Sequence, residues 1–404
     1  MMDNNKKMVP RIRFRGFEGN WKEIILGEIA QRVTEKNRDN KYSDTFTNSA
    51  EWGIVDQNQY FDKQISNRKN LSSYYVVKPN DFVYNPRISK QAPYGPIRHN
   101  GLDRIGVMSP LYLVFRLFEA DSLYLEYYFK STRWYKFMYK NGDSGARADR
   151  FAIKDNVFFQ MPIKLPLRIE QRKVGLLLKK IDHLIVETDK VVSDTRKLKQ
   201  LLLRNIFDLV WRFEGFNDPW EQRKLGKLVR ELDKKVLGSL NLPIATSSRS
   251  GLWLQKDYFD RSDEKNQNTV MFHLLPKGFI TYRHMSDDAK FHFNQNNFST
   301  DVLVSKEYPV FSAIVPRDQK FILYYLNNSS SFAKFALEQK KGGTRTRLYF
   351  KNLKSFSLKV PEKSQERQNI GDLFFEFDNL IVANEKKLDQ LKQLKKYLMQ
   401  NMFV

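Results

Sequence analysis

Residues 166–207 read PLRIEQRKVGLLLKKIDHLIVETDKVVSDTRKLKQLLLRNIF, and residues 361–403 read PEKSQERQNIGDLFFEFDNLIVANEKKLDQLKQLKKYLMQNMF. The two segments share residues at a constant separation of 196 positions, from Val174 and Ile370 to Phe207 and Phe403. A constant separation indicates an element that tolerates no insertion. A long α-helix is such an element, and we predict one in each segment.

The apolar residues of both segments recur in steps of three and four, which is typical of a coiled-coil seam. The predicted seam residues are Leu177, Ile181, Leu184, Leu198 and Leu202 in the first helix, and Leu373, Phe377, Leu380, Leu394 and Leu398 in the second. Polar residues interrupt this seam at Thr188, Asn205, Asn384 and Asn401. They either fix the helix register or face solvent near the helix ends, and the sequence leaves both possibilities open.

The repeat continues outside the helices at slightly different separations, as loop insertions and deletions would produce. Trp21 and Trp220 are 199 positions apart, and Gly145 and Gly343 are 198 apart. The segments that precede the two helices are rich in aromatic residues and contain short β-favouring runs, such as residues 111–115, broken by Pro, Gly and Asn. We therefore predict two similar α+β domains, each with a curved sheet and with helical pieces near residues 124–139 and 320–339.

These patterns predict an α+β fold class in which two duplicated domains are separated by two long helices. The predicted boundaries are an N-terminal tail over residues 1–16, a first domain over 17–165, a first helix over 166–212, a second domain over 213–360 and a second helix over 361–404. The second helix must return along the first if their seams pair. We therefore predict antiparallel helices that form a coiled-coil spacer, with a pseudo-twofold axis relating the domains at its opposite ends.

The composition indicates a folded protein with a polyanionic partner. Of 404 residues, 41% are hydrophobic, and 69 Lys and Arg outnumber 46 Asp and Glu, which gives a net charge of +23. Residues 1–165 and residues 213–360 each carry a net charge of +9. Two basic domains on a stiff spacer suit a long polyanion, such as a DNA duplex, that is contacted at two places. A basic protein without such a partner is the alternative.

The absence of cysteine excludes disulfides, thiolate nucleophiles and cysteine-bound metals, and it is typical of the cytoplasm. The five histidines are too scattered for a metal site. Residues 1–7 are polar, no apolar stretch follows them, and no apolar run is long enough to span a membrane. We expect a cytoplasmic protein with no metal site and no membrane contact.

The motifs of DNA-modifying enzymes are missing. The nearest approach to the Asn/Asp-Pro-Pro-aromatic motif of amino-methyltransferases is Asn85-Pro86-Arg87-Ile88, which fails at the third and fourth positions. Glu338-Gln339-Lys340 has the spacing of a nuclease metal site, but such tripeptides arise freely in a chain this rich in lysine. The sequence contains no Gly-x-x-x-x-Gly-Lys-Ser/Thr phosphate loop. We expect no catalytic residues in this chain, and any chemistry belongs to a partner.

The sequence resembles type I restriction-modification specificity subunits over essentially its whole length. The openings of both halves carry this resemblance, with Trp21 before Leu26-Gly27 and Trp220 before Leu225-Gly226. The helix starts at residues 166–171 and 361–366 carry it as well. In the second helix start, the usual Glu-Gln order is reversed to Gln365-Glu366.

The resemblance implies a sequence-specific, non-catalytic subunit in which each domain is a target recognition domain. Each domain would read one half of a bipartite double-stranded DNA sequence, and the helices would set the spacer length. Two methyltransferase (M) subunits would bind S-adenosylmethionine, and restriction (R) subunits would use ATP and Mg²⁺ to cleave unmodified DNA. A stand-alone bipartite DNA-binding regulator or structural protein, without enzyme partners, is the alternative function.

Candidate DNA contacts are basic and amide-bearing loop residues, since arginine can bind guanine, and glutamine adenine, through two hydrogen bonds. In the first domain they are Arg87, Lys90, Gln91, Tyr94, Arg98, Arg104, Arg147 and Arg150. In the second they are Ser248, Arg249, Arg283, His284, Lys290, Thr344, Arg345 and Arg347. A solvated surface charge is the alternative for each. Thr188, Asn384 and the exposed helix faces are candidate subunit contacts, and the tyrosine pairs at 127–128 and 324–325 are predicted to be core.

Overall fold

The structure, a computed structural model, describes residues 8–57, 68–144, 149–258, 268–340 and 344–404. The chain divides into two compact units. Unit 1 comprises the chain up to Thr188 together with Lys387–Val404, and unit 2 comprises Asp189–Lys386. Both units mix helices and strands, as the sequence predicts. The predicted domain boundaries stay a prediction.

Unit 1 is built mainly from short strands. These are β1 (Lys22–Ile25), β2 (Ala30–Arg32), β3 (Phe46–Ser49), β4 (Gly53–Asp56), β5 (Tyr75–Val77), β6 (Phe82–Tyr84), β7 (Ile97–His99), β8 (Gly106–Met108), β9 (Leu113–Leu117) and β10 (Pro162–Leu165). Its helices are α1 (Ser122–Lys130), α2 (Tyr135–Asn141), α3 (Asp155–Phe158) and the first part of the long helix α4 (Arg168–Phe207). The helices α1 and α2 lie where helical pieces are predicted in the first domain.

Unit 2 follows a similar order of elements. Its strands are β11 (Glu221–Lys224), β12 (Val229–Glu231), β13 (Lys235–Leu237), β14 (Ala245–Ser248), β15 (Gly251–Leu254), β16 (Met271–Leu275), β17 (Ile280–Tyr282), β18 (Met285–Ser286), β19 (Phe293–Gln295), β20 (Val302–Ser305), β21 (Val310–Ala313), β22 (Thr346–Arg347) and β23 (Ser357–Val360). Its helices are α5 (Gln255–Tyr258), α6 (Gln319–Asn328), α7 (Ser330–Glu338), α8 (Phe350–Leu353) and the first part of the second long helix, α9 (Ser364–Asn401).

An antiparallel four-stranded sheet organises each unit. Its strand order is β2-β9-β6-β7 in unit 1 and β12-β21-β17-β19 in unit 2. The registers also agree, because Phe82 faces Phe115 in unit 1 and Ile280 faces Phe311 in unit 2. Each unit adds a hairpin, β3-β4 or β14-β15, and a pair that closes the domain, β1-β10 or β11-β23.

Each core includes the end of a long helix. In unit 1, the Phe403 ring lies 5.3 Å from the Tyr124 ring, between centroids, and Met402 and Leu398 are buried in the same cluster. In unit 2, Phe207 packs against Tyr325 at 5.1 Å. The tyrosines at 127–128 and 324–325 are buried, which confirms that they belong to the core.

A tyrosine, an aspartate and a lysine fasten the long helices inside each unit. In unit 1, Tyr127 Oη donates to Asp182 at 2.8 Å, and Lys395 Nζ lies 2.6 Å from the same carboxylate. Burial and the neighbouring carboxylate raise the pKa of the tyrosine, which keeps its proton for this bond. The same arrangement recurs in unit 2 with Tyr324, Asp378 and Lys199.

The parts of α4 and α9 that lie in unit 2 run antiparallel. Lys199 pairs with Asp378, and Arg196, one turn earlier in α4, pairs with Glu385, two turns later in α9. The partner number therefore falls as the residue number rises.

A buried carboxylate fixes the start of each long helix. Glu170 is 1% exposed and accepts two hydrogen bonds from Arg13, each 2.8 Å long. Glu366 is equally buried and accepts two from Arg212, at 2.7 and 2.8 Å. These hydrogen bonds raise the pKa of both arginines. The glutamates lie 196 positions apart, so the constant separation extends to the first turn of the helices.

The structure accounts for the different residue order at the start of the second long helix. Glu366 has the place of Glu170, and the residue after it is Arg367 where the first helix has Gln171. In α4, Gln171 donates to the Pro166 carbonyl at 2.9 Å and accepts from the Asp121 backbone N–H at 3.0 Å. Arg367 takes this place in α9, where it donates to the Pro361 carbonyl at 2.6 Å and to the Asp318 carboxylate at 2.9 Å. In both units this side chain therefore links the proline before the long helix to the aspartate before a shorter helix, which is α1 in unit 1 and α6 in unit 2.

The predicted seam needs correction at Leu198, Leu380 and Leu394, which are 47, 49 and 45% exposed. Of the other predicted seam residues, Ile181 and Leu398 are buried, and Leu177, Leu184, Leu202, Leu373 and Phe377 are half-buried. The most buried apolar residues of α4 are Val174, Leu178, Ile181, Val192, Leu203, Ile206 and Phe207. Ile181 keeps its predicted place, whereas Leu178 and Leu203 are more deeply buried than the predicted Leu177 and Leu202, which lie one position earlier.

The polar residues in the helices bond to their own helix. Thr188, Asn205, Asn384 and Asn401 each donate a hydrogen bond to the carbonyl four positions earlier. Thr188 and Asn401 are buried, whereas the other two are half-buried. A hydrogen bond between the helices therefore does not fix their register at these four positions.

We expect Glu366→Gln to destabilise the chain by about 2–4 kcal/mol, because it leaves the Arg212 guanidinium without its buried carboxylate. Glu170→Gln should have a similar effect through Arg13. Urea denaturation gives the free energy of unfolding. The control is Glu187→Gln, which changes an exposed carboxylate of α4. Losses of stability no larger than the control's would contradict this role for the two glutamates.

Candidate nucleic-acid interface

A short ladder in unit 2 carries several of the predicted DNA contacts. Strand β18 pairs with β22, so that Met285 faces Arg347. Arg283 directly precedes β18, and both Arg283 and Arg347 are exposed. The sequence separates these two arginines by more than 60 positions, and the ladder brings their backbone segments together.

Two aspartates that follow β18 hold further arginines at this ladder. Arg249, in the turn of the β14-β15 hairpin, pairs with Asp288, and Arg345 Nε lies 3.1 Å from Asp287. Hydrogen bonds from Ser286, the Lys290 backbone and Arg249 lower the pKa of Asp288 to about 2. The arginine side chains remain 62 and 56% exposed, so they are oriented and still open to a ligand.

The remaining predicted contacts in unit 2 differ in exposure. Lys290 and Thr344 are exposed, whereas Ser248 is half-buried and bonds to the Gly251 carbonyl within its hairpin. His284 is buried, and its ring stacks on Tyr349 with centroids 5.7 Å apart. Burial lowers the pKa of His284, so the ring is neutral at pH 7. The expectation of a surface contact at this histidine is therefore corrected.

Unit 1 brings a similar pair of segments together. Arg87 and Arg150 face each other in an isolated antiparallel bridge, and the neighbouring Ile88 N–H donates to the Asp149 carbonyl at 2.9 Å. Both arginines are exposed, as are Lys90 and Gln91. Arg147 lies outside the described residues.

Three other predicted contacts of unit 1 have structural partners. Arg98 on β7 donates to the Ala50 carbonyl, in the turn of the β3-β4 hairpin, at 2.9 Å. Arg104 binds Asp44 at 2.5 Å and Asp56 at 2.8 Å, so it braces the same hairpin. Tyr94 packs edge-on against Tyr135 and Phe151, with centroids 5.1 Å away in both cases. These contacts within the protein explain the positions of the three side chains, and no DNA contact is needed to explain them.

Sequence reasoning missed Trp52, the side chain at the hairpin turn of unit 1. It is 67% exposed and stands two residues from Ala50, which Arg98 holds. The sequence could have indicated this residue, because Trp52 directly precedes Gly53 and lies between two β-favouring runs, as expected for a hairpin turn. Sequence reasoning also missed Asp287 and Asp288, because only the fold places these carboxylates against arginines distant in the sequence.

A buried carboxylate supports β7, the strand that carries Arg98. Glu126 on α1 accepts from the His99 backbone N–H at 2.9 Å and lies 3.0 Å from the His99 ring. Lys130 adds an ion pair at 2.9 Å. Burial alone would raise the pKa of Glu126, but the hydrogen bond with His99 and the charge of Lys130 outweigh it and lower this pKa to about 2.

One family model matches part of this chain. Residues 218–393 match the family model for the type I restriction modification DNA specificity domain. The fold is similar to the crystal structure of a type I restriction-modification system S subunit from M. genitalium, with a TM-score of 0.58 and 14% identity. That similarity covers 98% of this chain and 99% of the other, and it shows the mixed helix-and-sheet fold.

Two further solved structures are similar at lower TM-scores. One is the HsdS subunit from Thermoanaerobacter tengcongensis, with a TM-score of 0.46, 14% identity, and coverage of 100% of this chain and 99% of the other. The second comes from work on complex assembly and conformational transition of the type I R-M system, with a TM-score of 0.45, 15% identity, and coverage of 96 and 98%. Comparison with curated protein sequences found no match. In the described part of the chain, no helix has the length and apolar character needed to cross a membrane.

We expect Glu126→Gln to remove a pH-dependent contribution to stability. Because the folded-state pKa of Glu126 is about 2, below its ordinary 4.5, the contribution is present above pH 4.5 and is lost as the pH falls towards 2. Near pH 7 it amounts to roughly 3 kcal/mol. Urea denaturation from pH 7 to pH 3 should show the difference between wild type and variant shrinking on acidification. A constant difference, or an equal change in the exposed control Glu28→Gln, would rule this out.

Proposed function

We propose that the chain is the DNA-recognition subunit of a type I restriction-modification complex, because residues 218–393 match the family model for the type I restriction modification DNA specificity domain. In this proposal each unit reads one half of a bipartite double-stranded target. The chain supplies specificity and no catalytic residue. It directs methylation by M subunits and cleavage by R subunits.

One observation carries the proposal of two recognition sites. In each unit, the segment after the third strand of the main sheet order pairs with a later segment, which follows α2 in unit 1 and α7 in unit 2. Each pair includes arginine: Arg87 faces Arg150, and Met285 faces Arg347. A hairpin whose turn contacts an arginine or an aspartate of the same unit accompanies each pair. Exposed arginine at a repeated place suits base-edge and phosphate contacts.

The duplicated domains and the coiled-coil spacer are part of this proposal. Equal sheet orders in the units and the recurring Tyr-Asp-Lys arrangement support duplication. The lengths of α4 and α9, 40 and 38 residues, support their use as a spacer that sets the distance between half-sites.

The partners proposed are double-stranded DNA, two M subunits and R subunits in the cytoplasm. S-adenosylmethionine would bind in the M subunits, and ATP and Mg²⁺ in the R subunits. Thr188, Asn384 and the exposed helix faces remain the proposed subunit contacts. Of these, the helix faces offer exposed apolar residues, including Ile169 and Val186.

We expect Arg347→Ala and Arg150→Ala to act on different halves of the target. Each removes one arginine, so discrimination in one half-site should fall about tenfold to a hundredfold while the other half keeps its bases. Selection of bound sequences from random duplexes by the assembled complex measures this. The control is Arg223→Ala, which removes an exposed arginine paired with Glu221. If both variants relaxed the same half, or neither did so more than the control, the assignment would fail.

Insertion of one heptad into each long helix, after Asp189 in α4 and at the matching place in α9, should change the spacer and leave both half-sites unchanged. A heptad preserves the buried line and adds about 10 Å of helix. The same selection experiment gives the spacer length. Altered half-site bases with an unchanged spacer would show that the helices do not have this role.

A further inference from the structure

A second basic site lies in unit 2, at the end of β17 that is remote from the candidate interface. A cavity of about 450 Å³ opens there between the turn before β17, the end of β21 and the first turns of α6 and α9. Its charged lining residues are Arg230, Lys277, Arg317, Lys320 and Asp372. Four cations therefore share a concave site with one carboxylate.

Most of this positive charge has no counterion in the described part of the chain. Lys320 Nζ lies 2.7 Å from Asp372, which neutralises one cation. Arg230 donates to the neutral Ser312 hydroxyl at 3.3 Å. No described carboxylate lies within ion-pair distance of Arg230, Lys277 or Arg317.

The corresponding place in unit 1 carries its own counterion. Arg116 on β9 occupies the position that Ser312 has on β21, as the strand registers of the two sheets show. Its guanidinium binds the buried Asp81 carboxylate through two hydrogen bonds of 2.6 and 2.8 Å, and Asp81 ends the turn before β6. This ion pair neutralises Arg116, and a smaller cavity of about 310 Å³ remains beside it.

Unit 2 lacks this carboxylate. Its turn before β17 contains Lys277 and Gly278 and ends at Phe279, which precedes β17 as Asp81 precedes β6. The arginine lies on the neighbouring strand, where Arg230 faces Ser312. At this place, unit 1 pairs its arginine with an internal carboxylate, whereas unit 2 has additional cations and no such pair.

We propose that this cavity binds a phosphate group. Like charges that are close together and lack counterions repel one another, and a bound anion reduces that repulsion. Guanidinium groups suit phosphate because their N–H groups can donate to two of its oxygens at once. The group belongs either to the DNA backbone or to a free phosphate compound, and both sources present at least two anionic phosphate oxygens.

Pyrophosphate is the probe, titrated into the full chain without DNA and followed by calorimetry. This measurement does not depend on DNA recognition, so the phosphate site can fail while the proposed function stands, and the reverse. Arg230→Gln with Arg317→Gln should raise the dissociation constant about tenfold or more, since each hydrogen bond to a charged group contributes strongly. The matched control, Lys306→Gln with Lys351→Gln, removes the same charge from exposed positions of unit 2 and should change it less than about twofold.

Ser312→Asp provides a second variant that keeps all four cations. It places a carboxylate opposite Arg230 and should weaken pyrophosphate binding as strongly as the double variant, with thermal unfolding used to verify the fold. A wild-type chain that does not bind pyrophosphate would overturn the proposal. An equal loss in the matched control would overturn it too, since general charge would then explain the binding.

Duplex binding at several salt concentrations distinguishes the two sources. A plot of the logarithm of the DNA-binding constant against the logarithm of the salt concentration has a negative slope. If the phosphate is part of DNA, the Arg230→Gln, Arg317→Gln variant should reduce the magnitude of this slope by about one more than the control variant does. If a free compound is the ligand, pyrophosphate binding is lost while this slope equals that of the control.

Discussion

Phe207 is the last residue of α4 and Phe403 lies two residues after the end of α9, and each is buried in the core of a globular unit. The start of each helix is fixed as well, by Glu170 or Glu366 and the arginine that it binds. An insertion into one helix alone would turn its terminal phenylalanine by about 100° per residue and displace it by about 1.5 Å per residue relative to the start of that helix, with no matching change in the other helix. This constraint explains why the helices keep a constant separation of 196 positions while the loops of the domains drift.

The fold could be predicted as far as the repeat and the helical spacing reached. Both long helices, the helical pieces before them and the buried tyrosines follow from the sequence. The predicted seam differs from the observed line of buried residues because residues 176–178 and 201–203 are each three consecutive leucines. Periodicity alone cannot choose among three adjacent leucines, and the fold buries Leu178 and Leu203 while it exposes Leu176 and Leu201.

The candidate site could be predicted less completely, because its geometry depends on contacts between distant residues. Exposed arginines at 87, 150, 283 and 347 lie where loop composition suggested. The sequence did not reveal that Arg104 braces a hairpin, that His284 is buried, or that Asp287 and Asp288 orient two arginines. These are consequences of strand pairing, which places together residues whose types alone indicate only surface charge.

The two units share one order of strands in their main sheets, but the charged residues on their surfaces differ. Unit 1 neutralises Arg116 internally, whereas unit 2 leaves Arg230 without a described carboxylate partner. Such changes at the surface of a constant frame suit a protein whose halves recognise different sequences. Long-read methylation mapping of a host with and without this gene tests that account most directly. We expect deletion to remove one methylated bipartite sequence and restoration of the gene to return it. A methylation pattern that is the same with and without the gene would contradict it.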